Sequence, residues 1–186
     1  MKPRLEDYIV TYKNWYSLEF CKETIAQLTQ CKYSKHQFYT PSLDATSFEN
    51  DFQTTFDVIP NSSVIMDQTW NAINQYLRID FQFDWCNNWE GFSSPRFNHY
   101  TVGTTMKRHC DHIHSLFDGN RKGIPIISVL TILSDDYVGG ELVFFTDTVY
   151  ELHAGDVLIF PSNFLYPHKV NPITNGERYS CVSWVW

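Results

Sequence analysis

Two stretches in the N-terminal half carry apolar residues at the spacing of one helix face. The first follows Ser17, a residue type that commonly caps a helix, and its apolar positions are Leu18, Cys21, Ile25 and Leu28. The second runs from about Ser63 to Arg78, and its apolar positions are Met66, Trp70, Ile73 and Leu77. We expect both helices to pack these faces against a core.

The segment between the two predicted helices has no such periodicity. Lys32 to Val58 is polar, with Tyr, Phe, Ser and Thr interspersed, and this pattern predicts irregular strands or a long loop. Long loops in compact domains often serve as lids or binding loops. This segment is therefore a candidate to close over a bound molecule.

From Phe81 onward the pattern changes to that of strands. Ile126 to Leu133 is a continuous apolar run, which is typical of a strand buried on both faces. Further strands are predicted at Tyr8–Tyr12, Pro95–Val102, Glu141–Phe145, Asp156–Phe160 and Arg178–Trp186. Helices first and short strands afterwards indicate an α+β fold whose core is a jelly roll, or double-stranded β-helix, flanked by N-terminal helices. We expect one domain over residues 1–186, with helices and substrate-side loops in 1–94 and the jelly-roll core in 95–186.

The composition narrows the class of protein and its partners. Hydrophobic residues make up 43% of the 186 residues, which is enough for a sizeable core, and the 17% of aromatic residues favours a β-rich fold. The net charge of −7 argues against nucleic acid or an anionic membrane as a partner. No apolar run approaches the roughly 20 residues that a membrane span requires.

The five cysteines point to a reducing compartment. Their number is odd, their spacing is irregular and no Cys-x-x-Cys occurs, so we interpret them as reduced thiols. The N-terminal residues lack the apolar stretch of a signal peptide. Both observations lead us to expect a cytoplasmic protein.

A histidine and an aspartate two residues apart form the first chemical feature. Residues two apart in a strand point to the same side, so His109 and Asp111 would present an imidazole and a carboxylate together. His168, which follows Pro167 ahead of the last strand, is the candidate third ligand. Two histidines and one carboxylate leave open positions on non-haem Fe(II). Taken alone, His-x-Asp is a weak signal, because it is more often a surface turn or a structural hydrogen bond than a metal site.

The last predicted strand contains a second feature. Alternation gives it one face composed of Arg178, Ser180, Val182, Trp184 and Trp186. The Arg178 guanidinium would thus point into an apolar interior, where it requires a partner such as a carboxylate held by two hydrogen bonds. A bound dicarboxylic acid would supply that carboxylate. The alternatives are a protein carboxylate such as Glu141 or Glu177, or an exposed position for the arginine.

In this order and spacing, the residues resemble the 2-oxoglutarate/Fe(II)-dependent oxygenase superfamily, and within it the prolyl 4-hydroxylase branch. The pattern that carries the resemblance is Tyr100-x-x-Gly103, His109-x-Asp111, Gly139-Gly140-Glu141, Gly155-Asp156-x-Leu158-x-Phe160, His168-x-Val170, Gly176-x-Arg178 and Trp184. It extends from Tyr100 to Trp186, nearly half of the chain. The N-terminal half matches only loosely, in its flanking helices.

The resemblance implies an activity and its cofactors. His109, Asp111 and His168 would bind Fe(II), and the co-substrates would be 2-oxoglutarate and O₂, with ascorbate as an optional reductant. Such a dioxygenase hydroxylates a C–H bond and releases succinate and CO₂. The branch further implies a peptidyl proline as the substrate, and it leaves a monomer and a homodimer both open.

The resemblance also assigns residues to the co-substrate. Arg178 would hold the distal carboxylate of 2-oxoglutarate, Tyr100 would form a hydrogen bond with the co-substrate near the metal, and Trp184 would pack against its pocket. Thr131 would add a hydrogen bond to the distal carboxylate. Met106 departs from the branch, which often has an aromatic residue three positions before the first histidine. Arg178 departs too, because the branch often has lysine there.

Two groups of residues bear on the remaining alternatives. Aromatic residues ahead of Tyr100 could line a groove for a proline-rich peptide, namely Tyr33, Tyr39, Trp85 and Trp89. A free amino acid or another small molecule is the alternative substrate. A zinc site that uses Cys110, His112 or His114, or a non-catalytic metal-binding jelly roll, is the alternative to an enzyme. Neither metal-binding alternative requires an arginine inside the barrel.

Overall fold

The computed structural model describes residues 2–36, 38–40, 45–47, 52–86, 91–111 and 124–186. Its helical elements are a 3-10 helix at Leu5–Tyr8, α1 (Leu18–Leu28), α2 (Ser62–Asn74) and a π-helical segment at Gln75–Asp80 that continues α2. The strands are β1 (Val10–Tyr12), β2 (Ser34–Lys35), β3 (Phe38–Thr40), β4 (Ala45–Ser47), β5 (Gln53–Thr55), β6 (Arg96–Tyr100), β7 (Met106–His109), β8 (Ile127–Ile132), β9 (Tyr137–Gly139), β10 (Leu142–Phe144), β11 (Thr148–Tyr150), β12 (Val157–Pro161), β13 (His168–Val170), β14 (Ile173–Gly176) and β15 (Arg178–Val185).

Two antiparallel sheets form the body of the molecule. The larger has the strand order β1-β12-β8-β15-β6-β5-β2, and the smaller has the order β11-β10-β13-β7. Most neighbours in these orders are distant in the chain, which is the connectivity of a jelly roll and not of a simple meander. The predicted α+β fold with a double-stranded β-helix core is therefore confirmed.

The side chains of β15, the central strand of the larger sheet, pack alternately into two hydrophobic cores. Val182 and Trp184 of β15 point between the sheets, where they join an apolar cluster that includes Phe144 and Phe160. The alternate residues of β15 point to the opposite face, and they are Tyr179, Cys181 and Val185. The period-two alternation predicted for this strand is thus confirmed for its described length.

Helices α1 and α2 belong to the second core, on the outer face of the larger sheet. Ser17 Oγ accepts a hydrogen bond from the backbone N–H of Phe20, which confirms the predicted cap of α1. The buried residues of α1 are Cys21, Thr24 and Leu28. Leu18 is 56% exposed, so the face that packs on the sheet is rotated from the predicted one.

The buried face of α2 also differs from its prediction. Ile65, Thr69, Ala72 and Ile73 are buried, whereas Trp70 is 48% exposed. The small side chains of Thr69 and Ala72 let the helix lie close to the sheet, where an indole would not fit. Trp70 instead packs at the margin, with its ring centroid 6.4 Å from that of Phe92.

The described part of Lys32–Val58 forms short strands, as predicted. β5 pairs with β6 and β2 pairs with β5, so this segment extends the larger sheet beside the strand that ends at Tyr100. Phe52 is fully buried and belongs to the core between the sheets. Within the described ranges, no helix is both long enough and apolar enough to cross a membrane.

Candidate active site

The three predicted metal ligands lie together between the two sheets. His109 is the last residue of β7, and Asp111 follows it by two residues, so both side chains point to the same side. His168 is the first residue of β13 and is directly opposite His109 in the β13–β7 ladder. One potential ligand atom from each residue lies within 4.8 Å of the other two. The distant third ligand is thus supplied by the neighbouring strand.

Backbone carbonyls orient both imidazoles. His109 Nδ1 lies 2.8 Å from the carbonyl oxygen of Lys107, and His168 Nδ1 lies 3.1 Å from that of Tyr166. A carbonyl oxygen only accepts hydrogen bonds, so each Nδ1 carries the proton that it donates. In a neutral imidazole this leaves the lone pair on Nε2, the atom that faces the other ligands.

Two serine hydroxyls orient the carboxylate. Ser128 Oγ donates a 2.6 Å hydrogen bond to Asp111 Oδ2, and Ser162 Oγ lies 2.8 Å from Ser128 Oγ. The other carboxylate oxygen, Oδ1, lies 3.3 Å from His109 Nε2 and 3.7 Å from His168 Nε2. Asp111 Oδ1, which faces the two histidines, is therefore available to bind a metal ion.

The charge states follow from burial and from these neighbours. Burial and the neighbouring His109 lower the pKa of His168 to about 4, so its imidazole is neutral near pH 7. Burial raises the pKa of Asp111, but His168, His109 and the Ser128 hydrogen bond outweigh it and hold that pKa far below its usual range.

The donor set of these residues fits a bound metal ion. Two imidazole nitrogens and one carboxylate oxygen lie within 4.8 Å of one another, and this donor set is typical of non-haem Fe(II). Each of the three residues also forms a hydrogen bond through its other polar atom, Nδ1 of the histidines and Oδ2 of Asp111, as metal ligands in proteins commonly do.

Arg178 lies inside the molecule, as strand alternation predicts. It is 2% exposed, and its Nη1 donates a 3.2 Å hydrogen bond to Ser180 Oγ. Its guanidinium carbon lies 5.1 Å from the centroid of the Tyr100 ring. Its buried Nε has no hydrogen-bond partner among the described residues. This unmatched donor suits an acceptor on a bound ligand.

Neither of the protein carboxylates considered as a partner for Arg178 contacts it. Glu177 lies 3.0 Å from His99 Nε2 and accepts a hydrogen bond from Tyr179. Glu141 accepts a hydrogen bond from Asn171. Among the described residues Arg178 forms no ion pair, so the alternatives of a protein partner and of an exposed position are both wrong for the described part of the chain.

Tyr100 and Trp184 line the same pocket as the metal ligands and Arg178, as the resemblance implies. The Tyr100 hydroxyl donates to Met106 Sδ at 3.7 Å, so the residue that departs from the family pattern is in direct contact with a predicted co-substrate residue. Trp184 Nε1 is buried without a hydrogen-bond partner among the described residues. Both side chains can therefore contact a ligand in the pocket.

Thr131 does not lie where the resemblance implies. It pairs with Cys181 and Val157, and the side chains of those two residues belong to the core beneath the helices. Thr131 lies near Tyr16 and Cys181 on that face, whereas Leu130 lines the pocket. The expected contact with 2-oxoglutarate is therefore wrong, because alternation turns Thr131 away from the pocket.

Sequence reasoning missed two pocket residues on β6, Arg96 and Asn98. Alternation backwards from Tyr100 would have identified both, since residues two apart in a strand share a face. His36 stacks on Phe52, with the two ring centroids 4.6 Å apart. Burial, Arg96 and His109 together lower the pKa of His36 to about 3.

The predicted aromatic groove is not formed by the residues that can be located. Tyr33 packs edge-on against His99, and Trp85 is 78% exposed beside Phe83, so neither lines the pocket. The side chains of Tyr39 and Trp89 lie outside the described residues. His112 and His114, on which the zinc alternative depends, lie outside them too, and Cys110 is not part of the ligand cluster.

Comparison with known proteins agrees with this geometry. Residues 95–186 match the family described as the 2OG-Fe(II) oxygenase superfamily. A PKHD-type hydroxylase of Synechococcus elongatus is 36% identical over 94 residues, which are 48% of this chain and 41% of that protein. The chain thus spans about two fifths of the length of the curated relatives that it matches.

Solved structures share the fold over nearly the whole chain. The viral collagen prolyl hydroxylase of Paramecium Bursaria Chlorella virus-1 superimposes with a TM-score of 0.70 at 16% identity, over 96% of this chain and 94% of that one. A prolyl hydroxylase of Trichoplax adhaerens, in complex with a hypoxia inducible factor peptide fragment, gives 0.65 at 17% identity, over 96% and 83%. Residues 95–186 are thus similar to the 2OG-Fe(II) oxygenase superfamily, and the fold of the chain is that of the prolyl hydroxylases.

Proposed function

We propose that this chain is an Fe(II)- and 2-oxoglutarate-dependent oxygenase that hydroxylates a C–H bond of its substrate. The observation that carries the proposal is the placement of two complementary groups in one pocket. His109, Asp111 and His168 offer a facial set of metal ligands, and Arg178 offers a buried, unmatched donor. When bound, Fe(II) and 2-oxoglutarate supply the oxidising chemistry, in which O₂ is consumed and succinate and CO₂ are released.

The residues of the chain bind, orient and shield the reactants. His109, Asp111 and His168 hold the metal, and Arg178 binds the distal carboxylate of 2-oxoglutarate by hydrogen bonds from its fork. Tyr100, whose ring lies against the Arg178 guanidinium, would contact the co-substrate beside its distal carboxylate, and Trp184, six residues further along β15, would contact bound ligands in another part of the pocket. The apolar wall formed by Leu130, Leu142, Phe160 and Val170 keeps water from the reacting atoms.

We propose a peptidyl proline as the substrate. Support comes from the fold, which is shared with prolyl hydroxylases, one of them in complex with a peptide fragment. A free amino acid or another small molecule is the second candidate, because the aromatic residues expected to line a peptide groove do not line the pocket where they are described. A soluble peptide or amino acid also suits the net charge of −7 better than nucleic acid does.

Anaerobic titration of the Fe(II)-loaded protein with 2-oxoglutarate tests the oxygenase assignment. We expect the weak visible charge-transfer band of an Fe(II)–2-oxoglutarate complex to appear. The band should disappear in Asp111→Ala, which removes the carboxylate ligand, and remain in Asp147→Ala, which removes a carboxylate that does not line the pocket. A folded, iron-loaded protein without the band would contradict the proposal and favour a zinc or non-catalytic metal site.

Mass spectrometry of proline-containing peptides then tests the substrate. Incubation with Fe(II), 2-oxoglutarate and O₂ should add one oxygen atom to a peptidyl proline and release succinate in equal amount. Free proline and peptides in which alanine replaces proline are the comparisons. Oxygen addition to free amino acids alone would assign the second candidate substrate, and the oxygenase assignment would stand.

A further inference from the structure

A second arginine is buried in the pocket. Arg96 begins β6, is 8% exposed, and lines the pocket together with the metal ligands and Arg178. It lies opposite Val182 in the ladder with β15, whereas Arg178 lies opposite Tyr100, four residues along. At about 3.4 Å per residue the two arginines attach to the sheet some 13–14 Å apart, so they serve different parts of the pocket.

The contacts of Arg96 orient its charge without neutralising it. Its guanidinium carbon lies 4.8 Å from the Trp184 ring centroid and 5.8 Å from that of Phe52. Its Nε donates a 3.0 Å hydrogen bond to Asn98 Oδ1. Among the described residues, no carboxylate forms an ion pair with it. Aromatic faces attract a cation, but they leave its terminal nitrogens free to donate hydrogen bonds.

The two arginines are joined by a polar ladder across β6 and β15. Asn98 Nδ2 donates to Ser180 Oγ at 3.5 Å, and Arg178 Nη1 donates to the same oxygen at 3.2 Å. Asn98 therefore holds Arg96 on one side while Ser180 holds Arg178 on the other. This ladder fixes two separate guanidiniums in one cavity.

The charges of the occupied pocket do not balance. Asp111 is the only carboxylate among the described residues that line it, and it faces two guanidiniums. Bound Fe(II) would add two positive charges and 2-oxoglutarate two negative ones, which leaves one positive charge in excess. A buried charge without a counter-charge is strongly unfavourable. The remaining charge corresponds to Arg96, because Arg178 is used by the co-substrate.

We infer that Arg96 binds a carboxylate of the substrate, so that the site selects an acidic substrate. This inference rests on the proposed function, since it assigns Arg178 to 2-oxoglutarate. The planar fork of an arginine suits two parallel hydrogen bonds to a carboxylate, and Trp184 and Phe52 hold that fork in place. The carboxylate can be a side chain beside the reacting residue, or the α-carboxylate of that residue itself.

Two matched pairs of probes test this inference and separate the two sources. The Fe(II)-loaded protein is saturated with N-oxalylglycine, an unreactive analogue of 2-oxoglutarate, and binding is measured by calorimetry or ligand NMR. The first pair is N-acetylproline and N-acetylprolinamide, which differ in the α-carboxylate. The second pair is the amidated dipeptides N-acetyl-Pro-Asp and N-acetyl-Pro-Asn, which differ in a side-chain carboxylate.

We expect the carboxylate member of one pair to bind about 100-fold more tightly than its amide, a ratio typical of a buried charge pair. Arg96→Met should abolish this preference. Arg108→Met is the matched control, because Arg108 is an exposed arginine one residue from His109 that donates to the carbonyl of Thr146. The Arg108→Met protein should still bind the carboxylate member more tightly than its amide.

The outcomes distinguish this inference from the proposed function. Equal binding of both members of both pairs, or binding of none, overturns the assignment of Arg96, as does a preference that survives Arg96→Met. A wild-type protein that shows no charge-transfer band with 2-oxoglutarate contradicts the proposed function instead. If Arg96→Met does not fold, Arg96→Lys keeps the charge without the fork. A preference reduced by about tenfold then supports the inference, and an unchanged preference overturns it.

Discussion

Arg178 and Tyr100 are cross-strand neighbours in β15 and β6, and the guanidinium of one lies over the ring of the other. The aromatic ring thus holds one face of the guanidinium, and Ser180 accepts a hydrogen bond from its edge. Both contacts come from within the larger sheet. The remaining donors of Arg178 are therefore directed before any ligand arrives, and little conformational entropy is lost on binding.

Replacement of Arg178 should separate co-substrate binding from metal binding. We expect Arg178→Met to weaken 2-oxoglutarate binding by at least about 100-fold, because a buried carboxylate would lose its charged partner. Arg178→Lys should lose less, since it keeps the charge. Iron content, measured by atomic absorption, should be unchanged in both variants. Loss of iron in a folded Arg178→Met protein would show that the arginine supports the metal ligands and not the co-substrate.

Replacement of Ser128 should weaken metal binding although Ser128 is not a ligand. Ser128→Ala removes the 2.6 Å hydrogen bond that fixes the Asp111 carboxylate. Loss of such a supporting bond typically lowers metal affinity by about 10- to 100-fold. Competition with a chelator measures this affinity. Ser183→Ala, on the face of β15 turned away from the pocket, is the control and should keep the wild-type affinity.

Sequence reasoning worked best where local geometry and chemistry coincide. His109 and Asp111 are related by strand alternation alone, and the last strand carries Arg178 and Trp184 on one face by the same rule. Alternation failed to place Thr131 because the run Ile126 to Leu133 is apolar on both faces, so nothing in its sequence marks which side meets the pocket. The register with β12 and β15 decides this, and it depends on residues distant in the chain.

The faces of the two helices were predicted less well for a different reason. The predicted buried face was chosen from the large apolar side chains, such as Trp70. Close packing of a helix on a sheet instead favours small side chains, such as Thr69 and Ala72. A hydrophobic pattern also does not reveal Arg96, because a charged residue is usually exposed. Arg96 is buried against Trp184 and Phe52, which are distant from it in the chain.

The stability of the metal-free protein should depend on His36 at mildly acidic pH. Burial, Arg96 and His109 lower the pKa of His36 from 6.5 to about 3. The unfolded chain therefore binds a proton at this residue at a higher pH than the folded chain does. Stability should fall as the pH is lowered from about 6.5 toward 3, because the unfolded state gains the proton first.

Urea unfolding at several pH values measures this dependence. His36→Gln should reduce the loss of stability between pH 6.5 and pH 4, and His153→Gln controls for replacement of an exposed histidine. An identical pH dependence in His36→Gln and wild type would assign the whole effect to other groups, among them His168, whose pKa is lowered to about 4.

Asp156 should matter for stability more than its surface partner does. Its buried carboxylate accepts hydrogen bonds from the backbone N–H groups of Asn14 and His153 and from the half-exposed Lys13 Nζ. Asp156→Ala leaves all three donors without this acceptor, so we expect a loss of about 3–5 kcal/mol in the free energy of unfolding. Lys13→Met leaves both backbone bonds intact and should cost about 1 kcal/mol. Similar losses in the two variants would contradict this assignment.

The position of β15 in the larger sheet affects the order in which the strands can pair during folding. This strand lies between β8 and β6 at the centre of the sheet, yet it comes after both of them in the chain. On a ribosome, β6 and β8 emerge first, and each has an unpaired edge until residues 178–185 have been synthesised. Since Arg178 and Trp184 are on that strand, the pocket exists only once it has inserted. Unpaired strand edges promote association between chains, so we expect folding to be slow and most prone to aggregation just before this strand inserts.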